Sequence, residues 1–421
     1  MRYLYTLIAY VILAPAFCLV LWFRGVRDRR YWKDFGQRFG RGPAPEQPAI
    51  WVHAVSVGEV QAAAVLVRCL HERYAGVPIV VTTLTPTGAE RARALFGERA
   101  TVRYMPLDLP GAVRRFFNEV RPRLAVIFET ELWPNLYHEC GRRRVPLVLA
   151  SARISPRSMS RYTRFITLYR QALSHGHVIA AQGRDDAARF RKLGAKADRT
   201  HVTGNLKFDF ALPPDVATKG QALREHYAQG RPVWVAGSTH GGEEALVLEA
   251  HRLVRRVHPT ALLVLVPRHP QRFGEVASWL EKQQVRFIRR SQAAARTPDV
   301  EVLLVDTLGE LLDFYAMGDV AFVGGSLVTV GGHNLLEPAA LGVPVLAGPH
   351  NFNSADIARI LVESGAAEIV QNAPELGNRV AALLSSPAER ARIGNLGRAS
   401  VEENRGALEK LIGLIDPLLV P

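Results

Sequence analysis

The stretch 51-WVHAVSVGEV-60 runs from an apolar segment through a Ser-Val-Gly turn into text of helical period, and the first turn of that helix carries a carboxylate, Glu59. An apolar run, a small-residue turn and an amphipathic stretch make one strand–turn–helix unit, and the unit recurs. AIWVHAV, IVVTTLT, LAVIFET, PLVLASA and VIAAQ follow one another between Gln47 and about Phe210. After a Pro/Gly/polar interruption at 211-ALPPDVATKG-220 the rhythm restarts with PVWVAGS, ALLVLVP, VRFIR, EVLLVD, VAFVGGS and VPVLAG. Strands alternating with helices pair in parallel through crossovers, so the sequence predicts two successive doubly wound α/β halves. The length agrees: 421 residues exceed the roughly 250 to 300 at which one core stops growing. The final stretch 385-SSPAERARIGNLGRASVEENRGALEKLIGLIDPLL-419 is helical in period and is expected to pack on the outside.

The composition, 48% apolar and 22% charged, is that of an ordered protein. Cys18, Cys69 and Cys140 fit neither a metal nor a disulfide spacing, which points to a reducing compartment. A formal net charge of +14 calls for an anionic partner: nucleic acid, a membrane surface or a phosphorylated substrate. The first residues choose among these. Between Arg2 and Arg24 lies the uncharged run 3-YLYTLIAYVILAPAFCLVLWF-23, about the ~20 residues a bilayer-spanning helix needs. No signal-peptide cleavage pattern is attached to it. It leads instead into 24-RGVRDRRYWKDFGQRFGR-41, with seven Lys/Arg against two Asp. Positive charge marks the cytoplasmic flank, so a single N-terminal span with the body of the protein in the cytoplasm is expected.

In doubly wound sheets the ligand lies beyond the carboxyl ends of the strands, so the residues just after strands carry the chemistry. Glu59 is one. It suits a general base acting on a hydroxyl, and it equally suits a first-turn acid complementing the helix dipole by ~0.3 to 1 kcal/mol. In 124-LAVIFETELWPN-135, Glu129 and Glu131 end another strand ahead of Trp133 and Pro134. Lys207 in 201-HVTGNLKFD-209 stands near the domain junction. In the second half, 235-VAGSTHGGEE-244 offers a Gly/Ser turn whose backbone N–H groups suit a phosphate, although it is neither a Walker loop nor a Rossmann fingerprint. The run 261-ALLVLVPRHPQRF-273 places Arg268, a permanent planar cation, and His269 directly after a strand. The segments 305-VDTLGEL-311 and 321-AFVGGSLVTVGGHNLLEPAALGVPVLAG-348 add two more such turns. In the second, four glycines precede Asn334 and Glu337, Pro338 is placed as the first residue of a helix, and Gly342 ends it.

Taken in order, the anchor, YWKDFGQRFG, VHAVSVGEV, ETELWPN, GNLKFD, GSTH, PRHPQRF, DTLGEL and GGHNLLEPAALGVPV resemble the family of 3-deoxy-D-manno-octulosonic acid (Kdo) transferases of lipopolysaccharide synthesis, across almost the whole chain. The resemblance implies a GT-B glycosyltransferase with two Rossmann-like domains facing a cleft. It gives an anchor over 1–24, an acceptor domain over 25–210, a linker over 211–230, and a CMP-sugar-binding domain over 231–421 whose last helix packs back on the first domain. It implies CMP-Kdo as donor, the glucosamine disaccharide of a lipid A precursor, lipid IV(A), as acceptor, and inversion at the sugar carbon. Carried over by motif, Glu59 is the general base, and Glu129 and Lys207 assist the transition state. Pro267, Arg268 and His269, Leu308, Gly309 and Glu310, and Asn334, Leu335, Leu336 and Glu337 form the CMP site. The inner membrane is the expected location, with no nucleic-acid partner. No Asp-x-Asp signature is present, and neither a metal nor another cofactor is expected. The chain departs from the family pattern at Ser151-Ala152-Arg153, where Asn-Ala-Arg is usual, and at Gly241, where an acid commonly follows Ser-Thr-His. Both departures fall on loops expected to touch the acceptor.

Two other readings remain open on sequence alone. A nucleotide-sugar epimerase or hydrolase could use the same architecture, although it has no need of a membrane segment. A membrane-anchored binder of anionic lipid would need the dispersed Lys/Arg but not Glu59.

Overall fold

A computed structural model describes residues 1–292 and 300–419. The chain divides into two compact units: Met1 to Phe210 together with the chain from Asn404 onward, and Ala211 to Glu403.

The first unit is built on seven parallel strands, β1 (Ile50–His53), β2 (Ile79–Thr83), β3 (Thr101–Tyr104), β4 (Leu124–Phe128), β5 (Leu147–Ala152), β6 (Val178–Ala181) and β7 (Thr200–Val202), in the order 3-2-1-4-5-6-7. Helices cover both faces of such a sheet, so both sides of each inner strand are buried and the strands read as unbroken apolar runs. Within β1 the alternation is visible. Ile50 and Val52 join Leu66, Val81 and Phe128 on one face, while Trp51 joins Phe116, Phe117 and Ile127 on the other. The C-terminal helix Ala407–Leu419 returns to this unit, adding Leu411, Ile412 and Ile415 to the first of these cores. Arg73 holds it through a fork onto the Asp416 carboxylate at 2.9 and 2.5 Å.

The second unit repeats the plan with β8 (Val233–Thr239), β9 (Leu262–Pro267), β10 (Phe287–Arg289), β11 (Val302–Leu304), β12 (Val320–Val323), β13 (Val345–Ala347) and β14 (Ala367–Ile369), all parallel, in the order 10-11-9-8-12-13-14. In each sheet the chain starts in the middle and completes one side before crossing to build the other; in the second, β10 takes the edge first and β11 returns to lie between it and β9. The crevice where the direction reverses lies between β1 and β4 in the first sheet and between β8 and β12 in the second.

Three strands escape the sequence pattern: β3, β7 and β14. Each is the edge of its sheet and partly exposed, so its residues alternate or mix instead of forming a run. The polar stretch at 211–230 is also more than a tether. It carries the helix Val216–Leu223, and Gly220, legible in sequence as a turn signal, is instead a packing contact: a Cβ there would lie 2.5 Å from the Ala316 Cβ.

The helix Arg2–Arg27 is long and apolar enough to cross a membrane. It is not uniform. Residues Ala9–Leu13 form a π turn, in which Ala14 N–H reaches back five residues to the Ala9 carbonyl. Pro15, lacking an N–H and crowding the preceding turn, comes directly after.

Candidate active site

In the first unit the turn after β1 is a capping box. Ser56 is the N-cap of helix Val57–Arg73; its hydroxyl oxygen accepts from the Glu59 N–H at 3.4 Å, and its O–H donates to the Glu59 carboxylate at 3.0 Å. The other carboxylate oxygen accepts the Val55 N–H at 2.9 Å. The cap read for Glu59 is present, and its environment exceeds what a cap requires. Burial is the largest influence on the carboxyl, followed by the negative charge of Glu129, with Glu131 adding to it; the Val55 N–H and the Ser56 hydroxyl pull the other way, and the balance is a titration raised to about 7. A surface cap would titrate with the ordinary carboxylates near 4.

Glu129 lies at the end of β4, the neighbour of β1 across the reversal of strand order. It adopts a left-handed backbone, φ 56°, sparsely populated for residues other than glycine, and its N–H is fixed by the Ala150 carbonyl at 3.0 Å. Its side chain takes the Lys207 ammonium at 3.1 Å, closing 78 residues of chain. The Lys207 turn is in turn set by Asn205, whose side-chain oxygen accepts the Lys207 N–H at 3.0 Å. Glu131 accepts from the Trp133 indole N–H at 2.7 Å, and its carboxyl is raised chiefly by burial. Three carboxylates and one ammonium, drawn from three strand ends, thus share one site.

Ser151, one of the departures noted in sequence, is buried at the end of β5 with φ 50°. Its hydroxyl accepts the Leu206 N–H at 3.2 Å, so it ties the Lys207 turn to the strand. Gln182 joins this frame, donating to the Ser151 carbonyl at 3.0 Å and accepting from Asn205 at 3.3 Å. Sequence reasoning passed over Gln182 and Asn205 as supports; the only signal was their position, one residue after β6 and three after β7.

In the second unit three adjacent strands, β9, β8 and β12, deliver their carboxyl ends together. Pro267 closes β9 and is buried; Arg268 and His269 come next, in the open. Arg268 makes no ion pair among the described residues, and its charge bears on three histidines, depressing His240, His269 and His333, each of them lowered chiefly by burial. His240 and His333 stack with ring centres 5.0 Å apart, and their Nε2 atoms lie 2.7 Å apart, so one donates while the other accepts. His269 meets the His240 ring edge-on at 5.1 Å. An unpaired guanidinium beside three neutral imidazoles is a donor-rich patch suited to an anion. Sequence reasoning named Arg268 and His269 but did not bring in His240 and His333, which lie 93 residues apart and become neighbours only through the sheet.

The backbone of the two glycine-rich turns departs from expectation. Their N–H groups, which suit a phosphate, are taken by the buried Glu243 carboxylate. It accepts from His240 N–H at 3.2 Å, Gly325 N–H at 2.6 Å, Ser326 N–H at 3.1 Å and Leu327 N–H at 2.9 Å. The glycines are there for close approach: a Cβ on Gly331 would lie 2.5 Å from the Asn353 amide, and one on Gly332 would lie 2.5 Å from the Asn351 side-chain oxygen. Asn334 accepts the Leu336 N–H at 3.1 Å and donates to Glu337 at 3.0 Å, capping a helix, Leu336–Leu341, that ends at Gly342 as expected but takes Pro338 as its third residue. Leu335 and Leu336 are interior, so any ligand contact of theirs is through the backbone. On the β11 side, Leu308 is 72% exposed, Gly309 is left-handed, and Glu310 is engaged by Arg290 at 2.7 Å and by the Thr307 hydroxyl. That pairing holds the Glu310 carboxyl below the ordinary range.

Comparison with known proteins bears on the family and the fold. A family model described as 3-deoxy-D-manno-octulosonic-acid transferase (kdotransferase) matches residues 33–210. The chain is 42% identical over 422 aligned residues to a 3-deoxy-D-manno-octulosonic acid transferase of Haemophilus influenzae, covering 99% of each protein. Among solved structures it is similar to a glycosyltransferase of Rickettsia africae, with a TM-score of 0.58, 13% identity, and 89% of this chain and 99% of that one covered. It is equally similar in fold to a UDP-GlcNAc 2-epimerase of Neisseria meningitidis, with a TM-score of 0.58, 12% identity, and 88% and 99% covered. At such low identity these two structures speak for the fold alone.

Proposed function

We infer the reaction from a premise that identity along the whole chain establishes: the protein belongs to the 3-deoxy-D-manno-octulosonic acid transferase family, whose members are glycosyltransferases. The donor is CMP-Kdo, and the acceptor is a hydroxyl on the glucosamine disaccharide of a lipid A precursor, lipid IV(A), in lipopolysaccharide synthesis. The acceptor oxygen attacks the sugar carbon from the face opposite CMP. The carbon–oxygen bond to the phosphate breaks, CMP leaves with the electron pair, and the configuration inverts. Glu59 takes the proton released by the acceptor hydroxyl. A base of this kind works best when its titration lies near the operating pH, and the value of about 7 at Glu59 is the single observation that carries the assignment. Glu129 and Lys207 set the charge around it. In the second unit Arg268, with His240, His269 and His333, receives the phosphate, whose growing charge needs donors already in place. Asn334 and Glu337 offer acceptors and donors to the ribose hydroxyls. The protein works at the inner membrane, held there by its N-terminal helix, with both α/β units on the cytoplasmic side.

The test uses purified full-length protein with CMP-Kdo and lipid IV(A), followed by mass spectrometry of the lipid. The expected product carries added Kdo, NMR of its linkage shows inverted configuration, and Glu59→Gln removes it while CMP still binds. Hydrolysis of CMP-Kdo without a lipid product, or undiminished transfer by Glu59→Gln, refutes the assignment.

A further inference from the structure

The side chains of helix Arg2–Arg27 divide cleanly along its length. Tyr5, Ala9, Ala14, Cys18, Leu21 and Gly25 are covered or partly covered, at successive spacings of four, five, four, three and four. The five-residue step falls on the π turn Ala9–Leu13. A π turn advances less per residue than an α turn, so the extra residue resets the phase of the helix and keeps one stripe facing the same way across Pro15. That stripe is docked on the first unit from end to end. Arg2 shares a surface hollow with His138, Leu168 and His175. The Tyr5 hydroxyl donates to the Asp108 carboxylate at 2.9 Å, and the Thr6 hydroxyl donates to the Asn135 side-chain oxygen at 3.0 Å. Ala9 and Ala14 pack with Leu107, Leu109 and Ala112, the Phe17 ring lies 5.9 Å from the Arg38 guanidinium, and the Trp22 and Trp32 rings meet at a tilt with centres 5.2 Å apart.

The docked length is decisive. From residue 2 to residue 25 an α-helix extends roughly 35 Å, longer than the ~30 Å hydrocarbon core of a bilayer. Were the docked helix to cross, Asp108, Asn135, Arg38 and the loops that carry them would sit at membrane depth. Such groups are costly there unless they face a protein interior or water. The opposite face is apolar and open: Leu4, Leu7, Val11, Leu19, Phe23 and Val26 are all exposed. A free interfacial helix turns a charged face to water. Here protein occupies that face. At the helix end, exposed Arg24, Arg27, Arg29 and Lys33 flank Trp22 and Trp32. Beside its start, the helix Ile166–Leu173 is preceded by exposed Phe165 and by Arg157, Arg161 and Arg164, which make no ion pair among the described residues. Apolar side chains rimmed by unpaired cations and tryptophan fit a lipid surface with anionic headgroups.

We propose that this helix does not span the membrane but lies in the plane of one leaflet, clamped along its length to the first unit, so that the unit rides on the bilayer surface in a fixed orientation. The exposed stripe reaches the boundary between headgroups and acyl chains, and the basic rim meets the phosphates. The N-terminus then stays on the same side of the membrane as the α/β units.

Depth measurement tests this. Nitroxides are placed singly at Leu4, Val11, Leu19 and Phe23 of the full chain with Cys18 and Cys69 replaced by alanine. Depth is read in vesicles of phosphatidylethanolamine and phosphatidylglycerol from relaxation by oxygen against a nickel chelate. An in-plane helix puts all four at one depth, ~5 to 10 Å below the headgroups. A span puts Val11 near the midplane, about 15 Å down, with Leu4 and Phe23 shallow, and that profile overturns the proposal. A protease-cleavable tag ahead of Met1 gives a second reading. Cleavage in inverted inner-membrane vesicles supports the in-plane arrangement; protection there with cleavage in spheroplasts overturns it. Failure of the full chain to bind the anionic vesicles also overturns it. None of these readouts uses sugar transfer, so this proposal and the reaction assignment fail separately.

Discussion

Replacing Glu59 by Gln is expected to stabilise the protein while abolishing transfer, and the size of the gain can be worked from the structure. The carboxyl is moved from its ordinary 4.5 to about 7, by burial first and by Glu129 next. That displacement is worth about 3 kcal/mol of less favourable ionisation in the fold than in the unfolded chain. Below about pH 4.5 both states hold the proton and Glu59 contributes nothing. Between there and about pH 7 the unfolded chain ionises first, so stability falls as pH rises, and above about pH 7 the full cost is present. Gln keeps the shape, can accept the Val55 N–H, and cannot ionise. The stability difference between variant and parent should therefore grow from near zero at about pH 4.5 to about 3 kcal/mol above pH 7. The measurement is urea unfolding of both proteins across that range, followed by tryptophan fluorescence, with the transfer rate of the parent recorded over the same pH values. The rate should rise with pH through a midpoint near 7, the pH at which the stability difference levels off, because the same proton on folded Glu59 governs both. A difference that stays flat with pH, or a rate midpoint far from the pH at which the stability difference levels off, refutes the claim that a buried, charge-crowded Glu59 is the base.

The neighbours supply further tests. Glu129→Gln removes the charge that crowds Glu59, so the acid side of the pH–rate profile should move to lower pH, whereas Lys207→Ala leaves Glu129 uncompensated and should move it to higher pH; steady-state profiles check both, and shifts in the same direction refute the coupling. For Arg268→Ala, loss of a charge-assisted phosphate contact worth about 1.5 to 3 kcal/mol predicts a roughly 10- to 100-fold fall in kcat/KM for CMP-Kdo, with kcat lowered as well as KM raised because the contact strengthens as the phosphate gains charge; steady-state kinetics check it. Gly220→Ala sets two principles against each other. Helix propensity favours alanine by ~1 kcal/mol, but the new Cβ would lie 2.5 Å from the Ala316 Cβ and 2.9 Å from its carbonyl carbon. Overpacking should win by roughly 1 to 3 kcal/mol, and a raised Tm for the variant would show that the helices have room to separate.

The strand runs named the fold because parallel strands covered on both faces cannot hide their hydrophobicity: β1, β4, β8 and β9 are buried throughout, and their sequences say so. The edge strands β3, β7 and β14 were illegible because a strand with one neighbour is half wet and carries polar residues; the fourth edge, β10, was still read because VRFIR keeps three apolar residues among its five. Sequence likewise placed Glu59, Glu129, Lys207 and Arg268 after strands or in strand-end turns, where doubly wound sheets gather their chemistry. Local sequence could not show which strand ends stand together. The Glu129–Lys207 pair in the first unit, and the stacked His240 and His333 and the Glu243 carboxylate that fills the glycine turn in the second, are each assembled by crossovers that bring distant residues together; burial and then the charge of Glu129 raise the Glu59 titration. The N-terminal helix shows the same division. Its length and apolarity are written in the sequence, but which stripe is covered was decided by a π turn beside Pro15 and by Asp108 and Asn135, more than a hundred residues away, waiting for Tyr5 and Thr6.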